Sequence, residues 1–307
     1  MNPPIRQTAP GATLPEVVER LQEAIPVSVI VAARNEEKNL PRCLEALRCV
    51  GEVYVIDSQS TDATAEIAQS YGAKLVQFHY PGGWPKKRQW AMENIPLAFD
   101  WVLLVDADEA LTAALADEIR RAIQLPDHNG YYISLRMYFL GKVLRHGDAN
   151  FWKLSLFRRG KGRYECRLKD QDSSMADMEI HEHVIVDGPT SRLKNPLIHH
   201  NVESLSRYIQ KHDEYSNWES RVLLQSEHSG QDSSPIGAQA RRRRWLKKRL
   251  YALPGSPVLL FFYRYFMRLG FLDGVPGLIY CSFQAIQMFH TKAKIYELKH
   301  KPVSQGN

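Results

Sequence analysis

The feature that most constrains this chain is an alternation repeated four times in its first third: a short apolar run, a polar break, then apolar residues at helical spacing. VSVIVAA (27–33) is apolar and β-branched, and Leu40, Leu44 and Leu47 follow at helical intervals with Pro41 tolerated in a first turn. VYVI (53–56) leads through DSQSTD to a helix with Ile67, Ala68 and Tyr71 on one face and Gly72 as its C-cap. KLVQFHY (74–80) passes through PGGWP into a helix from Lys86, and WVLLV (101–105) precedes Leu111, Leu115, Ile119 and Ile123, each four residues apart. Four strand–helix units in a row predict an α/β fold on a largely parallel sheet covered on both faces.

Sheets of this kind bind ligands outside the carboxyl ends of their strands, so the residues there form the candidate site. The first strand ends in Ala33-Arg34-Asn35-Glu36, the second in Asp57-Ser58 with Asp62 beyond, and the fourth in Asp106-Ala107-Asp108. Several carboxylates at one edge suit Mg²⁺ or Mn²⁺, which takes one or two of them and completes its shell with substrate phosphates and water. A nucleoside diphosphate meets that need. Asp106 and Asp108 point to the same side of an extended chain, so one can hold the metal while the other bonds a ribose hydroxyl. Asp57 and Asp62 flank a Ser/Thr-rich turn. A carboxylate there can accept from the NH of a base such as uracil, with the main chain of Ala33 to Glu36 completing the pocket. Arg88 can reach a base carbonyl or a phosphate. Glu109 is read as the start of the next helix. Singly these motifs are weak, because a lone DxD is usually a solvated loop and DSxSTD a helix cap. Their placement at consecutive strand ends is what carries the argument.

VIVAARNEEKNLPRCLEAL, VYVIDSQSTDATAEIAQSYGAKL and WAMENIPLAFDWVLLVDADEAL together resemble the N-terminal half of family-two inverting glycosyltransferases, and within them the bacterial lipopolysaccharide core β-glucosyltransferases. The resemblance covers about residues 26 to 125. It implies a GT-A (Rossmann-like) fold with a mixed central sheet and a nucleotide-sugar donor. It further implies that Ala33 to Glu36 and Asp57 line the nucleotide pocket, that Asp106 contacts the nucleotide and that Asp108 binds the metal. Where the family commonly has Gly/Ala-Arg-Asn, this chain reads Lys87-Arg88-Gln89.

From His128 the pattern changes to short strands with turn signals, YYISLRMYFLGKVLRHGD (131–148) and KLSLFRRGKGRYE (153–165), read as antiparallel structure on the acceptor side. Inverting transfer needs a carboxylate to take the acceptor proton. The resemblance points to Glu182 in MEIHEHVIVDG, since a matching His-Glu precedes an apolar strand in the similar glucosyltransferases; Asp170, Asp172 and Asp177 are rivals. HEH lacks the HExxH spacing of a zinc protease. One of His199 and His200, at the end of another apolar run, is a candidate third metal ligand or phosphate contact, with His200 taken for the metal.

SLSRYIQKHDEYSNWESRVLL (204–224) is an amphipathic helix and 225–240 a polar linker. The organisation expected is therefore an extension over 1–25, a transferase domain over 26–224 (halves 26–125 and 126–224), the linker, and a C-terminal amphipathic helical segment over 241–307. Of the net charge of +6, RRRRWLKKR (241–249) alone carries seven positive side chains, leaving about −1 for the rest. The apolar stretch that follows is interrupted by Arg264, Arg268 and Asp273, which argues against a spanning helix. Aromatics mixed with Leu and Val beside dense positive charge favour a membrane surface over a packed helical or oligomer interface, and either over nucleic acid.

Cys43, Cys49, Cys166 and Cys281 form no CxxC pair, and the first 26 residues hold no signal-peptide core, so a reduced protein at the cytoplasmic face of a bacterial inner membrane is expected. The activity expected is metal-dependent, inverting transfer of a hexose from a nucleotide-sugar to a lipid-linked or glycan acceptor. A sugar-1-phosphate nucleotidyltransferase and a non-catalytic membrane-binding or nucleic-acid-binding adaptor are the alternatives.

Overall fold

The computed structural model describes residues 24–168, 182–200, 204–229, 249–251 and 253–300. Nearly all of the expected N-terminal extension, Asp170, Asp172, Asp177, His181, residues 230–240 of the linker and the basic run apart from Arg249 lie outside the described residues.

The four strand–helix units are present as β1 (Ile25–Ala33), α1 (Leu40–Ala46), β2 (Val50–Asp57), α2 (Thr64–Ser70), β3 (Lys74–Gln77), α3 (Lys87–Asn94), β4 (Trp101–Asp106) and α4 (Ala113–Ala122). Their strands run parallel in the order β3-β2-β1-β4, which makes the gap between β1 and β4 the point where the winding reverses. Strand side chains alternate between faces. Val27, Val29, Val31 and Ala33 of β1 therefore join Leu40, Leu44, Leu115 and Ile119 in one buried layer, while Ile30 joins Ile56, Val102, Leu104 and Phe157 in the layer on the other face.

Three local expectations change. Tyr71 is exposed and the buried face of α2 is Thr64 and Ala68; β3 ends at Gln77, and Phe78 leaves the strand to pack in the second layer. Glu109 does not begin a helix. It lies in a two-residue strand, β5 (Glu109–Ala110), and α4 starts after Thr112, whose hydroxyl accepts from the Leu115 amide at 3.2 Å.

Beyond α4 the sheet becomes mixed, as β6 (Gly130–Phe139), β7 (Lys142–Val143) and β8 (Phe151–Arg158) form antiparallel pairs and β8 runs antiparallel to β4. β9 (Gly162–Tyr164) and β10 (Val184–Val186) make a separate hairpin, while β11 (Thr190–Arg192) and β12 (Leu197–His200) run parallel to β6. Strand β12 also pairs antiparallel with β5, setting His199 opposite Glu109.

Helix α5 (Leu205–Ser229) continues past the expected boundary at 224, and α6 (Ser256–Phe262) and α7 (Gly274–His300) follow. Met137, Phe139 and Leu144 of the sheet pack with Tyr208 of α5 and Tyr280 and Cys281 of α7, fastening the C-terminal helices to the mixed half. Among the described residues no single helix is long and apolar enough to cross a membrane.

Candidate functional site

Register brings the three strand ends together, with Ala33 opposite Asp57 on one side of β1 and Ala32 opposite Asp106 on the other. The turn after β1 is then fixed by the DSQSTD loop. Asn35 adopts φ of 54°, and its amide donates to Ser60 Oγ at 2.8 Å while its side-chain oxygen accepts from the Thr61 amide at 2.8 Å. Glu36 donates its amide to Thr64 Oγ1 at 2.9 Å, and Glu37 donates to Asp62 Oδ2 at 3.2 Å. Asp62 is thus used in joining the two loops. Asp57 is fully buried and accepts from the Ser60 amide and hydroxyl and from Gln77 Nε2, so it is held in place at the floor of the edge. Arg34 is exposed and Ala107 packs into the core beneath the acids.

The acids at the end of β4 are each matched by a cation. Arg88 pairs with Asp106, and Lys153 from β8 donates to Asp106 Oδ2 at 3.1 Å and to Glu109 Oε1 at 3.3 Å. His199 Nε2 lies 3.3 Å from Asp108 Oδ2. Lys211 of α5 lies 3.8 Å from that same oxygen and donates to Glu36 Oε1 at 2.9 Å. Burial opposes ionisation of Asp106 and Asp108, but Arg88 and Lys153 for the first and His199 for the second outweigh it and hold both carboxyls well below the usual range. Burial likewise opposes the charged form of His199, yet Asp108 raises it to about 9. Glu109, 1% exposed, is dominated by burial and pushed up to about 7, while its Oε2 accepts from the Asp106 amide at 3.0 Å.

Lys153 and Lys211 were not legible as site residues, because each reaches its partner across a long stretch of sequence. The histidine assignment also changes. The His200 ring packs on Tyr138 with centroids 5.0 Å apart, and only its backbone NH reaches the acid loop, donating to the Asp108 carbonyl at 2.8 Å. Neighbouring strand residues face opposite ways, so the imidazole beside Asp108 belongs to His199 and not to His200.

The start of α3 links the two halves of the site through three consecutive buried cations. Lys87 Nζ donates to the Ala33 carbonyl at 2.7 Å, Arg88 takes Asp106, and Lys86 Nζ lies 3.7 Å from Glu182 Oε2. Glu182 is buried just ahead of β10 and accepts from the Arg167 amide at 3.3 Å. Trp218 of α5 backs this corner, with Lys86 Nζ 5.9 Å and the Arg167 guanidinium 5.4 Å from its ring centre.

Among the described residues no three His, Cys, Asp or Glu side chains converge as a ready ligand set. Asp108 and His199 do offer two adjacent donors, and at bond lengths of about 2.1 Å neighbouring ligands of an octahedral ion sit about 3 Å apart. These two residues therefore fit a divalent cation, whose remaining positions would be left to substrate phosphate and water.

Comparison with known proteins agrees with this architecture. The profile described as "Glycosyl transferase family 2" matches residues 28–182. The chain is similar to the lipopolysaccharide core biosynthesis glycosyltransferase LpsC of Rhizobium meliloti, 28% identical over 91% of this chain and 96% of the relative. An uncharacterized glycosyltransferase of Rickettsia conorii is 25% identical over 90% of this chain and 93% of its own. Among solved structures, glucosyl-3-phosphoglycerate synthase of Mycobacterium tuberculosis is similar at 15% identity, covering 70% of this chain and 84% of that one with a TM-score of 0.37, a likeness too distant to assign anything. The profile spans half of the sequence and takes in every strand end that builds the acid edge, so this chain is a glycosyltransferase of GT-A architecture and belongs to glycosyl transferase family 2.

Proposed function

We propose that the enzyme moves a hexose from a nucleotide-diphosphate sugar, in the first instance a UDP-sugar, to a lipid-linked or lipopolysaccharide acceptor with inversion, aided by Mg²⁺ or Mn²⁺. The observation that carries this reading is the Asp108–His199 pair at the edge where the ends of β1, β2 and β4 meet. The name of the Rhizobium relative supports the acceptor class. Family membership replaces the nucleotidyltransferase and adaptor alternatives.

In this mechanism the pinned turn at 33–36 and Asp57 form the walls of the nucleotide pocket, and Asp106, kept ionised by Arg88 and Lys153, accepts from a ribose hydroxyl. A cation on Asp108 and His199 would, when bound, offset the charge of the departing diphosphate. Lys153 and Lys211 add fixed positive charge at the same edge. Glu182 takes the proton of the acceptor hydroxyl as that oxygen attacks the anomeric carbon. The carbon–oxygen bond to the diphosphate breaks, and its electron pair leaves with the nucleotide. Lys86 offsets the buried charge of Glu182.

The exposed apolar C-terminal helices support work at a membrane surface, taken here as the cytoplasmic face of a bacterial inner membrane. Nucleotide release over UDP-, GDP- and dTDP-sugars, with membrane extract as acceptor source and Mg²⁺ or Mn²⁺ present, tests the proposal. Turnover of a UDP-sugar that stops on chelation is expected. Turnover indifferent to chelation removes the metal, and consumption of no donor removes the transfer reaction.

A further inference from the structure

Fifteen of the 22 large apolar side chains that stand exposed among the described residues lie between Leu253 and Tyr296, so exposed hydrophobicity is concentrated in the C-terminal helices. Val258, Leu259, Phe262, Phe266 and Met267 recur at helical spacing along α6 and the widened turn Tyr263–Met267 that continues it. Met267 is 77% exposed. At Leu269, where φ is 58°, the chain breaks, and the two helical arms meet with a 70° bend. Phe271, Leu272 and Val275 carry the apolar surface round that bend onto α7.

The charge around this surface is mainly positive. Among the described residues from Arg249 to Tyr296 there are five Lys and Arg and a single acid, Asp273, which is buried and spent on accepting from the Arg145 and His146 amides at 3.0 and 2.8 Å. An apolar tip with a cationic collar, whose one partly exposed carboxylate, Asp148, is paired with Arg268, matches the boundary between acyl chains and anionic headgroups.

The bent pair is also clamped to the catalytic sheet at one loop. Arg264 Nη1 donates to the Gly147 carbonyl at 2.9 Å, Arg268 Nε donates to Asp148 Oδ1 at 2.6 Å, and Gly147 donates its amide to the Arg268 carbonyl at 2.8 Å. Between this loop and the break lies a cavity of about 300 Å³ with Arg145, Asp148, Arg268 and Leu269 in its wall. The loop runs directly into β8, and Lys153 on β8 holds Asp106 and Glu109. Five residues of extended chain from Asp148 to Lys153 span at most about 17 Å.

We propose that residues 256–278 form a wedge that enters one leaflet of an anionic bilayer up to the Arg264–Arg268 collar. The clamp to residues 145–148 ties this collar to a loop from which Lys153, the residue that holds the donor-edge acids, is at most about 17 Å of extended chain away. Resting on the transfer reaction proposed above, this names the acceptor class: a lipid-linked glycan whose reacting hydroxyl is close to the lipid, not the far end of a long polymer.

The test uses the full chain and no donor, so its outcome is independent of whether sugar is transferred. Co-sedimentation with vesicles of equal parts phosphatidylcholine and phosphatidylglycerol is expected, at least about tenfold weaker with phosphatidylcholine alone. Phe262→Asp with Met267→Asp, both at exposed positions, should lower partitioning at least about a hundredfold with an unchanged melting curve. On vesicles, amide exchange should slow over 256–278 and over 145–150, and stay unchanged in α2. Binding that survives the double substitution overturns the wedge. So does a solution dimer that the substitutions dissociate while vesicles capture nothing. Protection of 256–278 without 145–150 overturns the coupling of the wedge to the catalytic sheet.

Discussion

The Lys211 ammonium lies 3.8 Å from the Asp108 carboxylate, on the side chain of a helix that begins more than ninety residues after the acid it faces. A cation in that position competes with a metal ion for Asp108. A unit charge at this distance in a partly solvated edge is worth on the order of 1–2 kcal/mol after screening. Lys211→Met is therefore expected to bind Mn²⁺ alone about tenfold more tightly, and a nucleoside diphosphate more weakly, because the same ammonium is lost to the phosphates. Mn²⁺ titration by electron paramagnetic resonance, with and without UDP, reads both signs. A variant that binds Mn²⁺ no better than the parent contradicts the competition.

Arg88 is buried against Asp106, and removing one partner of such a pair leaves a desolvated charge behind. Lys153 remains on Asp106 and softens the loss. Arg88→Met should cost about 2 kcal/mol in denaturant unfolding and lower kcat/KM, whereas Arg88→Lys should recover part of the stability. Equal stability of Arg88→Met and the parent would show that the pair is not holding the edge.

At the opposite end of the sheet, Glu52 accepts from Ser28 Oγ, from the Ala98 amide at 2.6 Å and from Lys74 Nζ at 2.7 Å. Burial raises its carboxyl, but these bonds together outweigh burial and hold it below the ordinary value. A depressed folded-state value adds stability that is complete above the unfolded value near about 4.3 and is lost as pH falls through the folded one. Glu52→Gln should thus lose about 1–2 kcal/mol at pH 7, with a smaller deficit below about pH 4. Urea unfolding at the two pH values measures the difference, and a deficit that grows on acidification contradicts the assignment.

Gly277 sits inside α7, where alanine ordinarily helps a helix by roughly 1 kcal/mol. Here a Cβ would come to 2.1 Å from the Gly270 carbonyl oxygen and 2.8 Å from Asp273 Cβ. Gly277→Ala is expected to destabilise by more than about 1 kcal/mol and to open the bend, against its helix propensity. A higher melting temperature would mean that the two arms are not packed this closely.

The parallel half of the fold was legible because period-two and period-3.6 patterns are local, and because a strand end fixes where its last polar residue stands. Ala33, Asp57 and Asp106 follow directly from that logic. Glu109 was misread because nothing near it in sequence announces its strand partner, His199. The choice between His199 and His200 turns on a single residue of register. Lys153 and Lys211 sit in segments whose own patterns describe a strand and an amphipathic helix, and only tertiary packing carries them to Asp106 and Asp108. The apolar aromatics after residue 253 were visible in the sequence, whereas the bend between the two helical arms depends on backbone geometry at Leu269 and Gly270.

The central claim is that Asp108 and His199 hold the cation on which donor binding depends. Calorimetric titration of UDP with and without Mn²⁺ tests it most directly in the parent, Asp108→Asn and His199→Gln. The account predicts that Mn²⁺ strengthens UDP binding to the parent and that both substitutions abolish the Mn²⁺ effect, with UDP affinity in the absence of metal changed by less than about threefold. Mn²⁺-strengthened binding that persists in Asp108→Asn would contradict it.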